Sequence, residues 1–288
     1  MANTLITPQI VAREVLDQLY ESTVLAQLVH RDFDGDFTGA AGDTVTIRRP
    51  ATFTAQEFTT AISVQNATEA STSVVLDKHL DVSFAITAKE QALSVDEISA
   101  RFLAPAAEAL AQKIDTLIAA FAADVAITAT VGTNGTPSTD PKVLVDAGKL
   151  LNDAKVPQAD RFAALTTTVA ANYLKDSLFH AADVRGDTDG LKEASIGRKF
   201  GFDVFTSTNL PAGGESLIAH KTAIALVTRT LEAPMGVAAE QAEVLDFRGF
   251  GLRVVKEYDI AAKQDVISID LLCGVKLLDP NRAVRLLG

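Results

Sequence analysis

Residues 94–126 read SVDEISARFLAPAAEALAQKIDTLIAAFAADVA, and the rest of the chain is organised around this stretch. Ser94 and Glu97 stand at capping-box spacing, in which a hydroxyl and a carboxylate each satisfy a backbone N–H left free at a helix start. Apolar side chains recur at Ile98, Phe102, Ala106, Leu110, Ile114 and Ile118, joined by Leu117, Phe121 and Val125, while Arg101, Glu108, Lys113, Asp115 and Asp124 take other angles. That period buries one face of a long helix. At 1.5 Å per residue, a helix over the whole stretch would reach about 50 Å. Pro105 interrupts it: proline lacks the N–H and clashes with the preceding turn, at about 3 kcal/mol in a helix interior, so a kink or a fresh helix start is expected there. Gly132, Asn134, Gly135 and Pro137 stop whatever follows.

Towards the N-terminus, Leu80, Val82, Phe84 and Ile86 alternate with Asp81, Ser83 and Thr87 as a half-buried strand does. An earlier alternation runs Thr44-Val45-Thr46-Ile47-Arg48 and ends at Pro50. Together the two strands imply a hairpin with a long connection. That connection is rich in Thr, Ser, Ala and Gln, with only Phe53, Phe58, Ile62 and Val64 as sizeable apolar anchors. Loops of this length are uncommon in compact domains unless they are functional or disordered, so this one is expected to bury its anchors outside its own domain. Before it, Thr7-Pro8 opens an amphipathic helix with Val11, Val15, Leu16 and Leu19 on one stripe. The stripe fits packing on its own domain and packing on a neighbouring subunit equally well.

Beyond the central stretch the pattern mixes helix and strand. Residues 141–154 and 168–180 read as helices, and 162–166 and 202–205 as short strands. Residues 217–231 are apolar throughout and ambiguous between the two. Leu252 to Val255, Val266 to Leu277 and Val284 to Leu287 are β-branched or leucine-rich runs that close the chain as sheet.

The 288 residues are 48% hydrophobic and 22% charged, ample for a substantial core in one large or two modest domains. The net charge of −11 argues against a protein built to grip phosphate backbones. Residues 1–100 hold 14 acidic and 6 basic side chains, so the front third carries most of the excess. Cys273 is the single cysteine and lies in an apolar run, as a reduced core thiol does. The first ten residues lack the pattern of a secretory signal, and no apolar run is long enough to span a membrane; a cytosolic product is expected.

The chemistry of an enzyme is missing. Gly132 to Thr139 lacks the lysine of a phosphate loop, and Gly249 to Gly251 is too short for a dinucleotide fingerprint. His30-Arg31-Asp32 has the lettering of a kinase catalytic loop but Phe37 where asparagine is required. Asp32, Asp34 and Asp36 are spaced like calcium ligands, yet Phe37 replaces the required glycine and Asp43 the closing glutamate. Asp183, Asp187 and Asp189, and the tripeptide Arg185-Gly186-Asp187, read as loop chemistry. His30, His79, His180 and His220 are scattered without metal-ligand spacing. No catalytic residue, metal site or cofactor is expected.

The order of parts resembles the major capsid proteins of tailed bacteriophages with the Hong Kong 97 fold, in the branch similar to short-tailed phage coat proteins. The resemblance rests on Gly42-Asp43-Thr44-Val45-Thr46-Ile47-Arg48-Arg49-Pro50 entering the hairpin and Arg101-Phe102-Leu103-Ala104-Pro105-Ala106-Ala107 in the central helix. It continues in Gly201-Phe202-Asp203-Val204-Phe205 before Asn209-Leu210-Pro211, in Ala219 to Ala225, and in Gly274-Val275 before Pro280 to Leu287. It implies an α+β chain with an N-terminal arm over residues 1–36, an extended E-loop with flanking strands over 37–92 and a P-domain spine helix over 93–131. An A-domain over 132–231 follows, then P-domain strands with a return to the A-domain over 232–288.

The resemblance further implies homo-hexamers and pentamers that close an icosahedral shell around double-stranded DNA without reading its sequence. The partners implied are a scaffolding protein, a portal and, in some relatives, a cement or decoration protein. Assembly would take place in the host bacterial cytoplasm, and the product would be the virion capsid. A bacterial encapsulin shell of the same fold is the alternative; an unrecognised hydrolase or binding domain is the more remote one. Residues expected at inter-subunit contacts are Phe53, Phe58, Leu80, Val82 and Phe84 by apolar burial, with Arg248, Arg253 and Lys256 facing the acidic front third of a neighbour. Residues 51–73 contain neither Lys nor Arg, so a covalent crosslink through a lysine at the loop tip is excluded and a noncovalent shell is expected.

Overall fold

A computed structural model describes residues 8–31, 44–48, 53–57, 64, 66, 71–87, 102–125, 130–133, 135–176, 196–211, 215–234, 241–247 and 250–287. The central helix (α3) runs Ala104–Asp124, 21 residues, with Pro105 in its first turn. Proline is tolerated there because the N–H it lacks has no acceptor at a helix start. Phe102 and Leu103 ahead of it are already helical, Leu103 at φ −75° and ψ −42°, and the α-helical part from Ala104 to Asp124 reaches about 31 Å. Ser94 and Glu97 lie outside the described residues. Ala106, Leu110, Ile114 and Ile118 are buried, as their spacing predicts.

Two helical elements from the N-terminal part of the chain pack on this helix. Helix α1 (Pro8–Ser22) buries Val11, Ala12, Val15, Leu16 and Leu19 against α3 and the neighbouring sheet of the same chain. A single turn, α2 (Leu25–Leu28), follows. Of the two packings open to the N-terminal stripe, the structure takes the one on its own domain. His30 then exchanges backbone hydrogen bonds with Ile224 and Leu226, at 3.0 Å each.

The hairpin closes one strand earlier than its alternation suggests. Strand β1 (Thr44–Arg48) pairs antiparallel with β2 (Ser71–Val75), a two-stranded ribbon of its own. Only Leu76 and Asp77 separate β2 from β3 (Lys78–Thr87), which joins a different sheet. Little in Ser-Thr-Ser-Val-Val marks β2 as a strand, because Val74 is its one fully buried side chain.

The five-stranded sheet contains β3, β9 (Ile224–Arg229), β10 (Ala242–Phe247), β11 (Phe250–Asp259) and β12 (Gln264–Leu277). Strand β12 is its centre: its first half pairs with β11 on one side and β3 on the other, and its second half pairs with β9. The six-stranded sheet runs β4 (Thr130–Gly132), β13 (Ala283–Leu287), β8 (Ser216–His220), β5 (Arg161–Leu165), β7 (Phe202–Thr206) and β6 (Arg198–Lys199). Helices α4 (Val143–Asp153) and α5 (Thr167–Leu174) cover one face of it around Tyr173 and Phe202. The other face, through Phe162, Ala164, Leu217 and Ala219, shares a core with α1, α3 and the five-stranded sheet.

The apolar run 217–231 thus resolves into two strands in two sheets, joined by the 3-10 turn Lys221–Ala223. Both strands are buried on both faces, which is why neither shows an alternating pattern. Strand β9 pairs with β12, so the chain leaves the six-stranded sheet at Ala223 and returns to it only with β13.

Candidate assembly surface

The N-terminal segment is held to the central helix by a buried carboxylate. Asp115 lies on the inner side of α3 at 1% exposure, although its angle reads as polar in the sequence. Its Oδ1 accepts the N–H groups of Leu25 and Ala26 at 3.1 and 3.2 Å, and Oδ2 accepts that of Val24 at 3.0 Å. These are donors that a helix start leaves free, and a carboxylate suits them. Burial pushes the Asp115 carboxyl above its ordinary range, while the three backbone donors and the Asn209 side chain pull the other way. One side chain therefore joins the arm, the spine and the loop after β7.

The hairpin leaves the body from a small separate core. Val74 and Leu76 pack with Ala225 and Val227, flanked by Ile47, Leu272 and Leu278. Gly274 makes this seat: a Cβ there would stand 2.2 Å from the carbonyl oxygen of Val75. Beyond the seat, Phe53 to Glu57 are all exposed, Phe53 at 65%. A phenylalanine so exposed on an extended hairpin is an unspent apolar contact.

The other expected contact residues fall differently. Leu80 is buried, and Val82 and Phe84 pack against the main core; the Phe84 ring stacks on Phe102 at 5.4 Å between centroids. Their alternation marks the face that packs on the core of their own chain. Arg253 is likewise engaged within the chain: its Nε donates to Asp270 Oδ1 at 2.9 Å, Nη2 donates to Oδ2, and Nη1 donates to the Glu232 carbonyl at 2.8 Å. The bond to Asp270 holds the guanidinium in its charged form. His79 Nε2 approaches the same carboxylate at 3.1 Å. Lys256 pairs with Asp265 at 2.9 Å. Phe58 and Arg248 lie outside the described residues.

Sequence reasoning missed a groove at the far end of the six-stranded sheet. The two-residue turn Phe200-Gly201 joins β6 to β7, with φ of +51° and +88°. Two positive φ angles define the hairpin turn that matches strand twist, and its first position normally carries Asn, Asp or Gly. Phenylalanine there stores about 1–3 kcal/mol of backbone strain. Its ring is nonetheless 45% exposed. Beside it, Val145, Lys149, Asp153, Arg161 and Arg198 help line a groove of about 560 Å³. The only sequence signal was Gly201 between two alternating phenylalanines.

A second concavity, about 510 Å³, lies near the β11–β12 turn and is lined in part by Val255, Tyr258, Ile260 and Val266. Among the described residues, no three His, Cys, Asp or Glu side chains cluster to hold a metal ion. Among them, too, no helix is long and apolar enough to cross a membrane. Burial raises the Cys273 thiol to about 12, so it stays protonated and unreactive.

An N-terminal segment clamped to the central helix, a two-stranded ribbon seated at Gly274, and two sheets around one core define the subunit. Solved structures share this arrangement. A chain of Mycobacterium phage Che8 is similar at a TM-score of 0.71 and 21% identity, over 92% of this chain and 90% of that one. The capsid of cyanophage P-SCSP1u gives 0.68 and 15%, over 92% and 88%. A virus-like particle from Pyrococcus furiosus gives 0.57 and 11%, over 96% and 98%. No curated protein sequence matches. The fold is that of Hong Kong 97-like capsids. The chain belongs to the phage capsid protein family, which matches residues 68–269, and its role is that of a major capsid protein.

Proposed function

We propose that copies of this chain form the hexamers and pentamers of an icosahedral shell that encloses double-stranded DNA. The match of the phage capsid protein family across residues 68–269 carries this reading. Residues 8–30 serve as an arm clamped by Asp115, β1 and β2 as the base of the E-loop, and α3 as the spine of a P-domain completed by the five-stranded sheet. The six-stranded sheet is the A-domain, entered at β4, left at Ala223 and re-entered at β13. The subunit acts as a structural element and not as an enzyme.

The E-loop crosses to a neighbouring copy, where Phe53 and Phe58 bury their rings. Interfaces of obligate assemblies commonly exceed about 2,000 Å², and at about 25 cal/mol per Å² the apolar term outweighs exposed salt bridges of about 0–1 kcal/mol each. Because residues 51–73 lack lysine, the shell is held without a covalent link through the loop tip. A scaffolding protein and a portal direct its size and closure during assembly in the host cytoplasm, and a cement protein fits the lack of crosslinks. The acidic balance suits an inner wall along which DNA slides.

Expression of the chain alone and with neighbouring phage genes, followed by electron microscopy of the product, tests this reading. Closed shells or hexameric rings are expected. Shells loaded with an enzyme in place of DNA would instead support the encapsulin alternative.

A further inference from the structure

We propose that His220 is an acid-sensitive fastener: while neutral it joins two of the chain's crossings between its sheets, and it releases them when it takes up a proton. The two crossings are the 3-10 turns Lys221–Ala223, between β8 and β9, and Pro280–Arg282, between β12 and β13. At the first the chain passes out of the six-stranded sheet, and at the second it passes back in. The turns lie against each other, and the N–H of Leu278 donates to the Ala223 carbonyl at 2.8 Å. A run of side chains adds a second tie between them.

Arg282 Nη1 donates to Thr222 Oγ1 at 2.6 Å, and Thr222 Oγ1 lies 2.9 Å from His220 Nδ1. The same ring nitrogen accepts the backbone N–H of Thr222 at 3.2 Å. A backbone N–H can only donate, so Nδ1 carries a lone pair and the ring proton sits on Nε2. The Thr222 hydroxyl, which accepts from Arg282, therefore turns its own proton to Nδ1. Asp279 holds the far end of the run, with Oδ2 3.4 Å from Arg282 Nε and Oδ1 accepting the Asn281 N–H at 3.1 Å. The direction of each bond is fixed by the neutral state of one imidazole.

A proton on Nδ1 sets the ring N–H against the Thr222 N–H and leaves that backbone donor without its acceptor. It also adds a positive charge beside two others. Arg161 stands directly across from His220 on β5, and Arg282 reaches it from the second turn. The Asp160 carboxylate opposes them, and the Asp160 carbonyl accepts the Lys221 N–H at 3.0 Å. Lys221, the next residue in the turn, is exposed, whereas His220 is 7% exposed and Arg161 5%. Burial, Arg282 and Arg161 together outweigh Asp160 and hold the imidazole below its ordinary value of 6.5. The tie is thus complete above that value, where the unfolded ring is neutral too, and is lost as pH falls through the folded value.

Hydrogen exchange of the full chain, read by mass spectrometry, tests the fastener against H220N. Asparagine does not titrate, and its side-chain oxygen still accepts the N–H two residues on, as in an Asx-turn. In mild alkali the peptides spanning the two turns should exchange alike in wild type and variant. At a pH 1.5 units below the ordinary histidine value, the wild-type turns should open about tenfold more often than those of H220N, with α3 equally protected in both. A second measurement needs no variant at position 220. In wild-type protein labelled with 15N-histidine, and assigned by replacing His30, His79 and His180 in turn, His220 should carry its proton on Nε2 and titrate with a midpoint below 6.5. An equal acid response in wild type and H220N, acid opening that takes α3 with it, a proton on Nδ1 in alkali, or a midpoint at or above 6.5 would each overturn the proposal.

Discussion

The carbonyl oxygen of Val75 lies 2.2 Å from the point where a Cβ on Gly274 would stand. Strand β12 therefore lets the base of the hairpin settle onto it only because it carries no side chain at that position. G274A should push β2 away from β12, disturb the core of Val74, Leu76, Ala225 and Val227, and cost about 1–3 kcal/mol as overpacking does. Thermal denaturation measures the loss, and the hairpin's altered exit should lower assembly further. G148A is the contrast: a Cβ there meets only the Phe202 ring at 3.6 Å, ordinary contact within α4, so stability should hold or rise by up to about 1 kcal/mol.

Asp115 gives a prediction in pH. Its folded carboxyl titrates above the ordinary value of 3.8 because burial disfavours the charge. Between that value and the raised one, the folded chain holds a proton that the unfolded chain has released. This contribution to stability is present at low pH and lost as pH rises through the folded value. D115N removes the titration and keeps one acceptor oxygen, so its stability relative to wild type should improve as pH rises through the window and then level off. D115A leaves the N–H groups of Val24, Leu25 and Ala26 without their acceptor and should lose about 2 kcal/mol. Urea midpoints across pH check both; a pH-independent difference between D115N and wild type would contradict the assignment.

The spine helix was legible because nine apolar residues repeat one period, and Ala106, Leu110, Ile114 and Ile118 each went where that period sends them. Asp115 was not, since what buries it is a set of backbone donors about 90 positions away, and no local pattern reports a distant partner. Strand β2 escaped notice because its pairing with β1 is a backbone matter that small polar side chains neither help nor mark. Leu80, Val82 and Phe84 showed the right strand, and alternation reveals a buried face without saying which surfaces cover it. Phe53, expected as an anchor, is exposed in the subunit, and the groove stayed hidden because its cations are scattered over α4, β5 and β6.

Arg253 and Asp270 form a two-bonded ion pair on the five-stranded sheet. R253A should leave a carboxylate that is 6% exposed without its guanidinium partner, at a cost of about 3–5 kcal/mol. The double variant R253M/D270L, which removes both charges, should lose much less. Chemical denaturation of the two variants measures the difference; equal losses would contradict the pairing.

Phe200 sits at a turn position that favours Asn, Asp or Gly. F200N places a preferred residue there and should stabilise the subunit by about 1 kcal/mol. Melting temperature checks it; an unchanged or lower value would contradict the strain assigned to this turn.

The central claim is that this chain builds a noncovalent shell, and cryo-electron microscopy of the assembled wild-type protein tests it most directly. The account predicts rings of five and six subunits in which the hairpin of each copy lies on its neighbour, and a single-chain band when the particles are denatured. A soluble monomer that forms no particle even with its scaffold, or particles in which every hairpin folds back on its own subunit, would contradict it.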